Sequence, residues 1–181
     1  MRIIEWRRTY KREEWIVYSG NRDAWQEKGS YQLINQQMLY SWLVVQDSPF
    51  QLAFIDLNVS FRNTLYALMP EAKVIIKPIA LISYLKHFTR LAPVYCEEVA
   101  VCIDDELTQE IEEASHFVTG LYKCTTKEEA KRLYDEWQLS RSRINPIADK
   151  LQNVIEIFEE EIFNYFVYKS ILMNIYTSKG K

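Results

Sequence analysis

The chain has 181 residues, with 22 Lys/Arg, 25 Asp/Glu and a formal net charge of −3. Its 48% hydrophobic and 26% charged residues place it among folding chains rather than disordered ones. The longest apolar runs, Leu65–Met69 and Val99–Ile103, are five residues each, far below the ~20 that span a bilayer, so no membrane partner is expected. Met1–Arg8 lacks the apolar core of a signal peptide, which predicts a cytoplasmic protein. The length suits one compact unit. Cys96, Cys102 and Cys124 have no C-x-x-C spacing, and with only His87 and His116 beside them they read as small buried thiols. Charge is uneven: Val94–Glu136 carries twelve acids against four bases, which argues against a uniformly basic nucleic-acid clamp.

Two aromatic and β-branched runs, Ile3–Tyr10 and Trp15–Tyr18, predict strands. Gly20-Asn21-Arg22-Asp23 then predicts a turn. Tyr31, Ile34, Met38, Trp42 and Val45 recur at three or four residues and predict one face of a helix, stopped at Asp47-Ser48-Pro49. Leu52–Leu57 is apolar apart from Asp56, the pattern of a strand buried on both faces. A helix follows with Phe61, Leu65 and Leu68 on one side and Ser60 as candidate N-cap, closing at Pro70. Ala72–Ile76 returns to strand, so Gln51–Ile76 reads as a βαβ unit.

Beyond Pro78 the periodicity is helical. Leu81, Leu85 and Phe88 mark a helix ending near Pro93, and Leu107, Ile111, Ala114 and Val118 mark one from Asp104-Asp105 to Gly120. Thr126-Lys127-Glu128-Glu129 is a capping box, opening a helix with Ala130, Leu133, Tyr134 and Trp137 inward. Asn145-Pro146 begins the last helical stretch, in which Ile147, Leu151, Val154, Phe158, Ile162 and Tyr165 continue at helical spacing. Glu159-Glu160-Glu161 reads as a solvated helix face, and Val94–Ile103 fits strand or helix equally.

Phosphate-binding glycine loops, nucleophile elbows and paired-histidine metal motifs are all missing from the sequence. Asp56 stands out, because a charge on an apolar strand is costly unless it is paired or binds metal. It also lies at the carboxyl end of its strand, where open α/β sheets bind ligands. A structural role, bonding the backbone or capping the next helix, explains it equally well.

Phe54-Ile55-Asp56-Leu57-Asn58-Val59-Ser60-Phe61-Arg62, followed by Leu68-Met69-Pro70-Glu71-Ala72-Lys73-Val74-Ile75-Ile76, resembles the second-aspartate region of DDE-type insertion-sequence transposases of the ISL-three group. Ala130, Trp137, Ser140 and Ser142, then Ile155 and Glu161-Ile162-Phe163-Asn164-Tyr165-Phe166, resemble that group's helical segment, and Gly20-Asn21-Arg22-Asp23 its early glycine-arginine turn. The resemblance covers residues 15–166 in order. It implies a ribonuclease H-like α/β core over residues 1–78 and a mostly helical region over 79–181. It also implies Asp56 as the second aspartate of a catalytic, metal-binding triad, Mg²⁺ or Mn²⁺ as cofactor, and DNA as partner in cleavage and joining of strands.

The sequence departs from that pattern. Glu5, Glu13 and Glu14 are the only acids in Met1–Ser19, where the first aspartate belongs, and Val167–Lys181 has none where the last glutamate belongs. Lys77-Pro78-Ile79-Ala80 stands where the family has aspartate-arginine-phenylalanine-histidine. The expectation is therefore a transposase-derived domain, cut at both ends and catalytically inactive. A co-opted DNA- or protein-binding module and an unrelated cytosolic α/β protein are the alternatives. The sequence leaves open whether the protein forms a homodimer through exposed aromatics such as Trp6, Trp15 and Trp25.

Overall fold

In the computed structural model, which describes residues 1–8, 13–21, 24–33, 35–86, 105–140 and 146–178, the amino-terminal segment is an antiparallel meander. It comprises β1 (Arg2–Arg8), β2 (Glu13–Gly20) and β3 (Trp25–Tyr31). Helix α1 (Gln36–Val44) leads to β4 (Leu52–Ile55), α2 (Val59–Leu68) and β5 (Lys73–Ile76), the expected βαβ unit. Helix α3 spans residues 78–86. It is followed by α4 (Asp105–Lys123), α5 (Lys127–Ser140), α6 (Pro146–Ile157) and α7 (Glu159–Ser178). The result is an α/β fold with one mixed five-stranded sheet and a mostly helical later half. No described helix is long and apolar enough to cross a membrane.

The sheet order is β3-β2-β1-β4-β5. The central strand β1 pairs antiparallel with β2 and parallel with β4, which pairs parallel with β5. Burial follows that order: Ile3 to Trp6 of β1, all of β4, and Val74 to Ile76 of β5 are inaccessible. The turn after β2 requires glycine, since a Cβ on Gly20 would lie 2.1 Å from the Ala24 carbonyl oxygen.

One sheet face carries Trp6 and Trp15, whose rings pack edge-on against Phe61 of α2 at centroid distances of 5.1 and 5.3 Å. Trp25 is buried as well, so none of these three tryptophans is the exposed aromatic that the sequence suggested. Their aromatic bulk goes into the core instead.

Several local expectations change. Strand β3 has no period-two signal because it is an outer strand with Gln26, Glu27 and Lys28 exposed and only Trp25 buried. Tyr31 therefore ends a strand rather than opening a helix. Helix α1 buries Leu39 and Leu43, while Met38 and Val45 face solvent; two stripes of suitable spacing coexist, and packing selects one. Ile34 lies outside the described residues. Trp42 is half-buried, against Tyr31 at 4.7 Å and Phe50 at 5.8 Å. The N-cap of α2 is Asn58, whose Oδ1 accepts from the Phe61 amide at 2.9 Å, and Ser60 sits inside the first turn.

The chain groups into two compact units, Met1–Lys77 with Val167–Lys181, and Pro78–Phe166. In the second, α4 packs on α5 and α6. It runs through Gly120 to Lys123, because one helical glycine weakens a helix without ending it. The capping box forms: the Glu129 amide donates to Thr126 Oγ1 at 3.1 Å, and the Glu129 carboxylate accepts from the Thr125 amide at 2.7 Å. Phe117 stacks on Trp137 at 4.1 Å. Glu159 pairs with Lys131 at 3.0 Å and Glu160 is exposed, but Glu161 is buried, contrary to the solvated face expected there. The α7 register turns it inward beside Ile162 and Phe163. The ambiguous Val94–Ile103 segment lies outside the described residues.

Tyr122 lies against Phe166 (5.9 Å, 18°) and Tyr165 (5.2 Å, 86°), and its hydroxyl is buried without a hydrogen-bond partner among the described residues. A buried unsatisfied hydroxyl costs about 1–3 kcal/mol. Tyr122→Phe is expected to raise stability by about 1 kcal/mol in urea unfolding; a loss of stability would show that the hydroxyl has a partner.

Candidate functional site

The site forms where β1, β4 and β5 end. Alternate residues of a strand share a face, and antiparallel partners do too. Ile3, Glu5 and Arg7 of β1 therefore lie opposite Tyr18, Ile16 and Glu14 of β2 on one face. Glu5 is beside Phe54 of β4, and Ile55 is beside Ile76 of β5. Carried past the last pairs, this register sets Asp56 between Arg7 and Lys77, and the Lys77 amide still donates to the Ile55 carbonyl at 3.4 Å. A row of alternating sign, Glu14, Arg7, Asp56 and Lys77, thus crosses the sheet end.

Glu5 stands one step inside that row, on the central strand, and is 1% exposed. Its Oε2 accepts from Arg7 Nη2 at 2.8 Å and from the Tyr18 hydroxyl at 3.0 Å. Its Oε1 accepts from the Tyr176 hydroxyl at 2.5 Å and from Lys77 Nζ at 3.4 Å. Lys77, 6% exposed, also donates to the Trp6 carbonyl. The Arg7 guanidinium lies over the Tyr176 ring at 5.7 Å. Burial by itself would push the Glu5 carboxyl up, but Lys77, the Tyr176 hydroxyl, Arg7 and Tyr18 outweigh it and hold the group below the usual Glu range. Burial and the Glu5 charge push the Tyr18 and Tyr176 phenols up, so both stay protonated as donors.

Asp56 is half-buried just after β4. Asn58 holds the cap of α2, and the Asp56 carboxylate makes no hydrogen bond or close ion pair among the described residues. Burial pushes its carboxyl up, and Lys77 and Arg8 oppose that shift while Glu13 and Glu5 add to it. Among the described residues it is the carboxylate of the site without such a partner, whereas both Glu5 oxygens accept two hydrogen bonds each. No group of three His, Cys, Asp or Glu able to hold a metal exists among the described residues. His116 is exposed and Cys124 is buried, its thiol 3.6 Å from the Gly120 carbonyl. His87, Cys96, Cys102 and Asp104 lie outside the described residues.

Sequence reading singled out Asp56 and missed the network beside it. The signal was present: Glu5 is a lone charge between Ile3-Ile4 and Trp6, and Lys77 closes the apolar run Val74-Ile75-Ile76. Both obey the rule that drew attention to Asp56. Tyr176, 171 positions from Glu5, had no such signal. Comparison with protein-family models, curated proteins and solved structures finds no match to this chain.

Two outcomes follow from these charges. Glu5→Ala leaves the Lys77 ammonium buried without its carboxylate and is expected to destabilise the fold by about 3–5 kcal/mol in urea unfolding. In the native chain, the Glu5 contribution holds above the ordinary Glu range and fades as pH falls through its lowered value. Asp56 has the opposite sign: with its folded pKa raised, stability falls as pH rises through that value. Asp56→Asn is expected to raise Tm at about pH 7 and to leave it unchanged at about pH 3, where the wild-type group is already protonated.

Proposed function

We propose that this protein is a transposase-derived, ribonuclease H-like module that does not cleave DNA and acts as a DNA-binding protein. The observation that carries the reading is the sheet order β3-β2-β1-β4-β5, with an antiparallel meander on one side of β1 and a parallel βαβ unit on the other. That order supports the ribonuclease H-like reading. Asp56 directly follows β4, where the family's second aspartate would stand, and Glu5 lies on the early central strand, where the first would stand.

The Mg²⁺ or Mn²⁺ of the family does not fit these residues. Two-metal strand cleavage uses carboxylates open to cations, whereas Glu5 is bound on both oxygens by Arg7, Tyr18, Tyr176 and Lys77. Residues 167–178 of α7 bring a tyrosine, and no acid, to the sheet end. Binding of DNA is supported by charge: Met1–Lys77 and Val167–Lys181 together hold thirteen Lys/Arg against eight Asp/Glu.

Purified protein incubated with end-labelled DNA and Mg²⁺ or Mn²⁺ tests both halves. The expected result is retention of DNA that weakens steeply with salt, and no nicking above the metal-only background. Nicking abolished by Asp56→Ala would overturn the non-catalytic assignment. Lack of retention at low salt would overturn DNA binding and direct the search to a protein partner.

A further inference from the structure

Residues 167–178, the second half of α7, group with the α/β unit and reach Glu5 through Tyr176. Their sequence does not favour a helix. Val167, Ile171, Ile175 and Thr177 are β-branched, and three more of the twelve residues are Ser or Asn, all weak helix formers. The Thr177 hydroxyl also bonds back to the Met173 carbonyl at 3.1 Å, a contact that slightly loosens a helix. The stretch is therefore helical because it is docked. Its docking is shallow: from 167 to 177 only Leu172 and Ile175 are buried, while Val167 and Met173 are more than half exposed. The polar hold is the Tyr176 hydroxyl, which donates to Glu5 Oε1 at 2.5 Å, with the Arg7 guanidinium over the tyrosine ring.

We propose that the second half of α7 is a strap that opens while the sheet stays folded, with the Tyr176 hydroxyl on Glu5 as its latch. Opening gives up the burial of two apolar side chains and one hydrogen bond to a charged group. Unfolding the sheet gives up far more, because β1 and β4 are each paired on both sides and buried along most of their length. The carboxylate tolerates the opening: Glu5 keeps Arg7, Tyr18 and Lys77, and water takes the place of the Tyr176 hydroxyl on Oε1. The strap thus decides whether Glu5, 1% exposed when it is closed, meets solvent. Elements with few buried contacts and weak local propensity are the ones that open below the global transition. The strap is independent of whether the chain binds or cleaves DNA.

Native-state hydrogen exchange on the full chain, read by mass spectrometry at several low urea concentrations, tests this with wild type, Tyr176→Phe and Tyr18→Phe. In wild type, the amides of residues 170–178 are expected to exchange about tenfold or more faster, relative to their intrinsic rates, than those of β1 and β4, and with a smaller dependence on urea. Tyr176→Phe is expected to speed exchange of the strap by about tenfold or more, the loss of a hydrogen bond to a charged group. Tyr18→Phe removes a Glu5 donor that the open and closed states share, and is expected to leave the strap's exchange near the wild-type rate. Exchange of residues 170–178 in step with β4, at the same urea dependence, would show one cooperative unit and overturn the strap. Strap exchange unmoved by Tyr176→Phe, or sped equally by Tyr18→Phe, would overturn the latch.

Discussion

A carboxylate sealed inside a sheet must be matched by charge and hydrogen bonds, and the α/β unit is organised around that requirement at Glu5. Stripping water from the ion is the largest opposing effect, and it is outweighed only because four donors converge from β1, β2, the end of β5 and the end of α7. Their sequence separations from Glu5 run from 2 to 171 residues, so one side chain ties the amino-terminal strand to nearly the last helical turn. Such a buried set adds little net stability compared with apolar packing of the same volume, but it tolerates few alternatives, since any strand slip leaves a charge unmatched. Register and topology are thus specified by the same group that shapes the candidate site.

The two sheet faces divide the work. Trp6, Trp15 and Phe61 fill one face with interlocked rings, the dense apolar packing that stabilises the unit. The other face places Glu5 and Arg7 beside Tyr18. At the strand ends this produces a region in which opposite charges alternate and cancel. That distinguishes it from a metal centre, which concentrates carboxylates, and from a phosphate cradle, which concentrates cations and amides. Asp56 is the exception within the row, a half-buried carboxylate that neither caps a helix nor joins a close pair among the described residues.

Charge along the chain also acquires a structural meaning. Residues 78–166 hold seventeen acids against nine bases, the reverse of the balance in the α/β unit. The acids sit on helices whose buried stripes are apolar and aromatic, with Ile111, Val118, Ala130, Tyr134, Leu151 and Phe163 inside. The acidity is therefore largely that of helix surfaces, and it explains how a chain with a slight net negative charge contains a basic unit.

Local patterns were enough to place the βαβ unit, the helical later half, the capping box at Thr126 and Asp56 at a strand end, because period, caps and breakers act over a few residues and leave their mark in the chain itself. They failed where neighbours distant in sequence decide. Strand β3 exists because β2 offers it an edge, α1 buries Leu39 and Leu43 because that stripe meets its neighbours, and Asn58 displaced Ser60 as cap by adopting the extended backbone that precedes the helix. The gathering of Glu5, Lys77 and Tyr176 is the clearest case. Residue types alone say that each should have a partner, since a buried charge or phenol needs one; only the closing of the sheet and the return of the last helix determine that they are partners of one another.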